Sequence, residues 1–174
     1  MNLKTYIQQK DFFDLLKIYK NHKNITYKKI SNFHNYDQIY KKYGVYLVWV
    51  KKQKFNQLIY IGCAGKLKSI NTVTNQTLKQ RIKLGHTPRR FSIKNNFFGI
   101  NPLKGHKNRV YKIDKAKIKD DNTIYELCYP LPSLLIEFLY FENVFQNFSP
   151  KFVERTLLDT FYKNYKTLPI GNTN

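Results

Sequence analysis

The segment 44–62 most constrains what this chain can fold into. It holds two apolar runs rich in valine, isoleucine and tyrosine, at 44–50 and 57–62, separated by the polar stretch KKQKFN. This pattern is typical of a β-hairpin. Each run joins a tyrosine to a glycine, as Gly-Val-Tyr in the first and Tyr-Ile-Gly in the second. Because alternate residues of a strand share one face, we expect Tyr46 and Tyr60 to meet on one side of the hairpin.

The composition indicates a globular domain with a polyanionic partner. The chain has 174 residues, 42% of them apolar, and a net charge of +20, with 31 basic but only 11 acidic residues. Such a charge favours DNA or RNA. An AT-rich genome also enriches lysine, but it does not explain the scarcity of acids. Two distant cysteines, Cys63 and Cys128, argue against a zinc cluster or a disulfide scaffold and favour a reducing cytoplasm.

The remaining patterns predict helices and strands in roughly equal number. We expect strands at 24–31, 123–130 and 134–143, and helices within 3–20, at 78–84 after a Thr77 cap, and from Pro150 after a Ser149 cap. The predicted fold is therefore α/β in the broad sense (α+β): a small, mainly antiparallel central sheet flanked by helices. We expect a single domain over 1–174, with a helical N-terminal extension at 1–41 and a basic insertion at 86–122.

Glu154 is the most informative acidic residue. Glu154, Leu158, Phe161 and Tyr165 recur at helical spacing, which predicts a carboxylate on an apolar stripe. A carboxylate rarely faces a core without a partner. A divalent metal is the simplest partner, and a salt bridge to Arg81 or Arg155 is the alternative. By contrast, we interpret Glu137 as a residue on the solvent face of its strand.

Four elements in this order resemble a known family. GVY at 44–46, YIG at 60–62, LKQRI at 78–82 and a helical glutamate at 154 together resemble the GIY-YIG nuclease superfamily, over about residues 42–172. The one change in the two name motifs is Val45 for isoleucine. The compact ending is most similar to the Type II restriction endonucleases of that superfamily. The resemblance implies a sequence-specific double-stranded DNA endonuclease that hydrolyses phosphodiester bonds.

The resemblance also implies roles for individual residues. Tyr46 would act as general base toward a water, and we expect cations to lower its pKa from the usual value near 10. Tyr60 would position the phosphate or the water, although both tyrosines could instead fill the edge of the core. Arg81 suits the scissile phosphate, because its planar fork binds two oxygens, whereas a solvated helix face is its alternative. Glu154 would bind one Mg²⁺ or Mn²⁺ per active site.

Two positions depart from the family pattern. Related nucleases often carry His or Tyr four residues after the arginine, but that place here is Gly85, and His86 lies one residue later. Many members carry an asparagine about a dozen residues after the glutamate, but that place is Lys166. His86 is therefore an uncertain catalytic candidate, and Asn172 is a weak one.

The basic insertion predicts where DNA is contacted. From Lys79 to Lys119 there are 13 Lys or Arg residues and a single acid. These cations would neutralise phosphates, and some would reach base edges in the major groove. The candidate DNA-binding residues are Lys66, Lys83, Arg89, Arg90, Lys94, Lys104, His106, Lys107 and Arg109.

A segment within the nuclease domain that recognises the DNA sequence suits a restriction enzyme. Such an enzyme would act as a homodimer on a palindromic site. A cognate DNA methyltransferase would then be encoded nearby without being a physical partner. The longest apolar stretch is too short to span a bilayer, so we expect no membrane association. A non-specific or structure-specific nuclease, of repair or homing type, is the alternative function. A catalytically silent nucleic-acid-binding module is a further one.

Overall fold

The computed structural model describes residues 11–65, 67–69, 72–73, 76–84, 91–92, 96–100, 119–120, 123–124, 127–144 and 148–172. Three α-helices lie in these ranges, namely α1 (Phe12–Lys20), α2 (Leu78–Leu84) and α3 (Pro150–Tyr165). The strands are β1 (Ile25–Ser31), β2 (Tyr43–Lys51), β3 (Asn56–Ala64), β4 (Leu67–Ser69), β5 (Thr72–Val73), β6 (Phe91–Ser92), β7 (Phe97–Ile100), β8 (Lys119–Asp120), β9 (Thr123–Ile124), β10 (Leu127–Pro130) and β11 (Leu134–Phe141). Short 3₁₀ turns occupy Tyr36–Gln38, Leu131–Ser133 and Ile170–Asn172.

A four-stranded antiparallel sheet forms the centre of the molecule, with strand order β1-β11-β2-β3. The expected α+β class and the hairpin of β2 and β3 are confirmed. Smaller antiparallel sheets join β10, β7 and β6, then β4 with β5, and β8 with β9. Strand β3 stands at one margin of the central sheet.

Helices cover both faces of the central sheet. On one face, Leu78 and Ile82 of α2 pack into a cluster with Tyr46 and Tyr60. On the other face, α1 and α3 pack against a cluster that holds Val45, Leu47, Trp49, Ile61 and Cys63. The alternation of residues along β2 thus divides the core into two layers. Within the described ranges, no helix is long and apolar enough to cross a membrane.

The helix starts follow the capping residues in the sequence. The Ser149 hydroxyl accepts the backbone N–H of Phe152 at 3.2 Å, and Pro150 opens α3, as expected. Thr77 and Gln80 form a reciprocal cap at α2. The Thr77 hydroxyl accepts the Gln80 N–H at 3.3 Å, and the Gln80 side chain accepts the Thr77 N–H at 2.9 Å. The predicted stop of α2 at Gly85 lies outside the described residues.

The N-terminal part contributes more than a helical extension. Strand β1 pairs with β11 along its whole length, which makes β11 an inner strand of the sheet. All eight residues of β11 are buried. The interpretation of Glu137 as a solvent-face residue is therefore wrong, because α1 packs over this face of the sheet and closes it from solvent.

Glu137 lies at the centre of a buried polar cluster. Its carboxylate accepts from the Lys20 ammonium at 2.5 Å, the Tyr27 hydroxyl at 2.7 Å and the Trp49 indole N–H at 3.0 Å. Burial and the Glu137 carboxylate raise the pKa of Tyr27 above its usual range, so Tyr27 remains a donor. Three donors from α1, β1 and β2 satisfy one buried charge, which ties the N-terminal elements to the sheet.

Replacing Glu137 with glutamine should lower the free energy of unfolding by about 2–3 kcal/mol. The change leaves Lys20 without its counter-charge and at least one buried donor without an acceptor. The Lys20 side chain is 25% exposed and can turn toward water, which limits the loss. Urea unfolding measures the effect. Glu142→Gln, at an exposed carboxylate paired with Lys42, is the matched control and should leave stability nearly unchanged. Equal stability of the two variants would contradict a structural role for the Glu137 cluster.

Candidate active site

The two tyrosines of the hairpin converge above Gly62. In the β2–β3 register Tyr46 lies opposite Gly62, and Tyr60 lies two residues back on the same face. The ring centroids of Tyr46 and Tyr60 are 5.7 Å apart. A Cβ atom at position 62 would lie 2.8 Å from the Tyr46 hydroxyl oxygen and 2.6 Å from Cε1 of Tyr60. Glycine is required at this position because the two rings fill the space of a side chain.

Gly44, the first residue of the other motif, serves a different contact. A Cβ atom there would lie 2.0 Å from the Leu139 carbonyl oxygen of the neighbouring strand and 3.1 Å from Leu78 of α2. The Leu78 N–H also donates to the Lys42 carbonyl at 2.8 Å. Gly44 therefore lets α2 and β11 close around the start of β2, which fixes the helix that carries Arg81.

Arg81 has unused hydrogen-bonding capacity. Its Nη1 donates to the Gln76 side chain at 3.3 Å. Its Nε is buried and has no hydrogen-bond partner, a condition shared within the described part of the chain only by Gln38 Oε1. A buried donor without an acceptor is costly in free energy. An anion at the edge of the guanidinium that carries Nε would remove that cost.

Glu154 reaches the edge strand from the opposite face of the sheet. The residue is 9% exposed, and its Oε2 accepts from the Cys63 thiol at 3.2 Å and from the Lys151 ammonium at 2.5 Å. Burial of the carboxylate is thus as expected. The expected ion-pair partners, Arg81 and Arg155, are wrong, because Lys151 takes that place and Arg155 faces Asp159.

The buried stripe of α3 also differs from the predicted one. Val153, Glu154, Leu157 and Thr160 are buried, whereas Tyr165 is 45% exposed. The helix is rotated by about one position relative to the predicted stripe, because Val153 and Leu157 fill the space against the sheet. Glu154 consequently lies at the border of the stripe, where one side of its carboxylate can face the edge of β3.

Cys63 connects the two halves of the site. Burial, and then the neighbouring Glu154 carboxylate, raise the pKa of the Cys63 thiol to about 12, while Lys151 and Arg81 act in the opposite direction. The thiol therefore stays protonated near neutral pH and serves as a hydrogen-bond donor rather than a nucleophile. Helices α2 and α3 both contact β3, so Arg81 and Lys151 lie on helices that pack against the same strand.

Both tyrosines of the pair are buried among aromatic side chains. Tyr46 is 2% and Tyr60 is 6% exposed. Tyr46 packs on Phe138 with ring centroids 6.5 Å apart, and Tyr60 packs on Phe98 at 6.2 Å. Contact of Tyr46 with a substrate water therefore requires local rearrangement around the ring.

Asn172 has a structural position next to the motif. Its side-chain oxygen accepts the backbone N–H of Ile61 at 2.7 Å, and its amide donates to the Ile61 carbonyl at 2.7 Å. The asparagine side chain thus pairs with the edge strand at the central residue of Tyr-Ile-Gly. This weak catalytic candidate lies beside the site and holds its backbone.

Two residues of the site, Cys63 and Lys151, were missed by the sequence analysis. Cys63 follows Gly62, so strand alternation alone assigns it to the face opposite the tyrosines. Lys151 precedes Glu154 by three residues on a helix, which is a contact spacing. Both spacings can be seen in the sequence, but neither identifies a residue of the site until the position of α3 over β3 is known.

Most of the expected DNA contacts lie outside the described residues. This holds for His86, Lys66, Arg89, Arg90, Lys94, Lys104, His106, Lys107 and Arg109. Lys83 is described and lies exposed on α2, two residues beyond Arg81.

Glu154 is the carboxylate of the site that a hard divalent cation could use. Among the described residues, no group of three or more His, Cys, Asp or Glu side chains could hold a metal. Both hydrogen bonds made to Glu154 there end on Oε2, which leaves Oε1 for a ligand. Mg²⁺ keeps several waters and often uses one or two carboxylates, so a single glutamate oxygen fits this ion.

Comparisons with known proteins add no relative. No family model, no curated protein and no solved structure matches the chain. The assignment of a function therefore depends on the residues of the site itself.

Proposed function

We propose that this protein is a metal-dependent DNA endonuclease that hydrolyses phosphodiester bonds. The observation that carries the proposal is the meeting at β3 of a tyrosine pair, an arginine with an unpartnered Nε, and a buried glutamate whose Oε1 accepts no hydrogen bond from the described residues. These groups supply a base, an anion-binding fork and a cation ligand, which are the parts that hydrolysis of a phosphodiester requires.

Arg81 would hold the scissile phosphate. The guanidinium offers Nε and a second edge nitrogen to two phosphate oxygens, and its buried Nε gains the acceptor that it lacks. A preorganised cation at this position stabilises the negative charge that develops in the transition state. Tyr60, on the same face, would position the phosphate or the attacking water.

Tyr46 would take the proton from that water. Its hydroxyl lies over Gly62, at the point where the two rings meet. Burial by itself disfavours a phenolate, so this role depends on the positive groups Arg81 and Lys151 and on a bound cation. The phenol would release the proton after cleavage, which returns the base to its starting state.

Glu154 would hold Mg²⁺ or Mn²⁺ through Oε1, one ion per active site. When bound, such an ion stabilises charge on the leaving oxygen of the phosphodiester. The protein contributes the orientation of the carboxylate, which the Cys63 thiol sets through Oε2.

A sequence-specific enzyme of restriction type fits the chain best. The net charge of +20 supports a double-stranded DNA substrate, and the basic run at 86–122 supports a reading element within the domain. We propose a homodimer on a palindromic site, each subunit cutting one strand, in a cytoplasm that also holds a methyltransferase for the same site.

The burial of Tyr46 favours the alternative of a silent nucleic-acid-binding module. A tyrosine that is 2% exposed can serve as core packing alone. That alternative gives no reason for a buried carboxylate at 154 and an arginine with an unpartnered Nε at 81 to lie on helices that pack against the same strand. Cleavage of DNA by the parent protein and by single-residue variants separates the two functions.

Digestion of plasmid DNA tests the metal role of Glu154. With Mg²⁺ the parent protein should give discrete bands, and chelator should abolish them. Glu154→Gln should cut at least about a hundredfold more slowly, because the amide does not replace a charged metal ligand. Glu142→Gln removes an exposed carboxylate and should cut at the parental rate. A smear in place of bands would identify a non-specific nuclease, and intact but gel-shifted DNA would identify the binding module.

Tyr46→Phe tests the proposed base. Removal of the hydroxyl should lower the cleavage rate by about 10²–10⁴, the usual contribution of a general base. Tyr140→Phe is the matched control, since Tyr140 is a fully buried tyrosine on the neighbouring strand whose hydroxyl accepts the Tyr40 N–H. It should reduce stability without reducing single-turnover cleavage at a temperature where it is folded. A parental rate in Tyr46→Phe would remove Tyr46 as the base.

Arg81→Lys tests phosphate binding by the fork. Lysine keeps the charge but loses the planar pair of donors, so we expect cleavage to fall about 10²-fold or more. DNA affinity should change much less, because many other cations contact the backbone. Lys83→Met, two residues along the same helix, should mainly lower affinity. If Arg81→Lys weakens binding and cleavage equally, Arg81 acts on the ground state only.

A further inference from the structure

Lys151 occupies the carboxylate that would bind the metal. Its ammonium lies 2.5 Å from Glu154 Oε2, and the Lys151 side chain is 53% exposed whereas the Glu154 side chain is 11% exposed. Lysine is ordinarily protonated near neutral pH, so the ammonium brings a positive charge to this carboxylate. The site therefore already holds one positive charge.

The position of Lys151 in α3 is unfavourable for the helix itself. It lies in the first turn, where the helix dipole and the free N–H groups are positive, and no acidic residue lies there. Lysine placed N-terminal to glutamate is also the weaker orientation of a helical ion pair. Helix stability therefore gives no reason for lysine at this position, which directs attention to its contact with Glu154.

We propose that Lys151 is a built-in counter-ion of Glu154 with which the divalent metal must compete. The inference rests on the proposed function, in which Glu154 is the metal ligand. In the absence of metal, the ammonium satisfies a buried carboxylate that would otherwise be uncompensated. When a divalent ion binds Oε1, the ammonium and the metal repel each other across one carboxylate.

The exposure of Lys151 makes this competition reversible. Because more than half of the side chain is in solvent, the ammonium can leave Glu154 and remain hydrated at little cost. A DNA phosphate beside the site would accept the displaced ammonium. Metal binding is then weak in free protein and strengthened by DNA, which links hydrolytic competence to substrate binding.

Binding of Mn²⁺ to the DNA-free protein, followed by electron paramagnetic resonance of the free ion, tests the inference. Lys151→Met should bind Mn²⁺ about tenfold more tightly, because a unit charge about 5 Å from a divalent ion costs roughly a factor of this size even in water. Lys151→Arg keeps the charge and should bind as the parent does. Arg155→Met removes the neighbouring charge, which faces Asp159, and is the matched control.

Thermal unfolding gives a second readout that does not depend on cleavage. Without metal, Lys151→Met should unfold at a lower temperature than the parent, since Glu154 has lost its counter-ion. Saturating Mn²⁺ should raise its unfolding temperature by more than it raises that of the parent. A residue that only orients the carboxylate would have the opposite effect, because its loss would weaken metal binding.

The outcomes separate the inference from the proposed function. Parental or weaker Mn²⁺ binding by Lys151→Met, with parental binding abolished by Glu154→Gln, would overturn the competition and leave the metal role of Glu154 intact. Absence of Mn²⁺ binding by the parent and by Lys151→Met would overturn both. Equal tightening in Arg155→Met and Lys151→Met would show a general charge effect and would also overturn the inference.

Discussion

The edge position of β3 is the constraint on which the candidate site depends. Successive residues of a strand point to opposite faces, so Tyr60 and Cys63 belong to different layers of the core. Groups from two faces of a sheet meet only around an edge. A neighbouring strand beyond β3 would separate α2 from α3 and keep Arg81 and Glu154 apart. The position of β3 in the strand order is therefore a precondition for the site, whichever side chains the site uses.

Two buried glutamates on the same side of the sheet differ in how completely their oxygens are hydrogen-bonded. Glu137 receives three donors from three elements and uses both of its oxygens. Glu154 receives two donors on one oxygen. The first arrangement is complete and rigid, and a cation would have to break it. The second leaves one oxygen toward the edge, so that a cation adds to the arrangement.

The sequence predicted the parts of the molecule that depend on local chemistry. The hairpin, the shared face of Tyr46 and Tyr60, and the Ser149 and Thr77 caps follow from alternation and from hydrogen bonds within a few residues. Each of these features depends on residues that are close together in the sequence. The burial of Glu154 could also be predicted, because helical spacing alone places its carboxylate among apolar residues.

Long-range packing decided what the sequence could not predict. The pattern of β11 admits a solvent face, and only the packing of α1 over the sheet, more than a hundred residues away, closes it around Glu137. The place of Lys151 in the site depends on the packing of α3 against β3, which residue spacing in the sequence does not predict. The role of the 86–122 segment stays a prediction, since nearly all of its basic residues lie outside the described part of the chain.

The contact of Asn172 with Ile61 has a consequence for the behaviour of the molecule in solution. An unpaired edge strand offers its backbone to any other chain and invites sheet-to-sheet polymerisation. Here one amide side chain imitates the pairing of a strand and occupies both outward groups of Ile61. The edge is thereby blocked at Ile61, without a further strand that would separate the two helices of the site. The proposed catalytic centre would thus stay at an open margin of the sheet while that margin resists self-association.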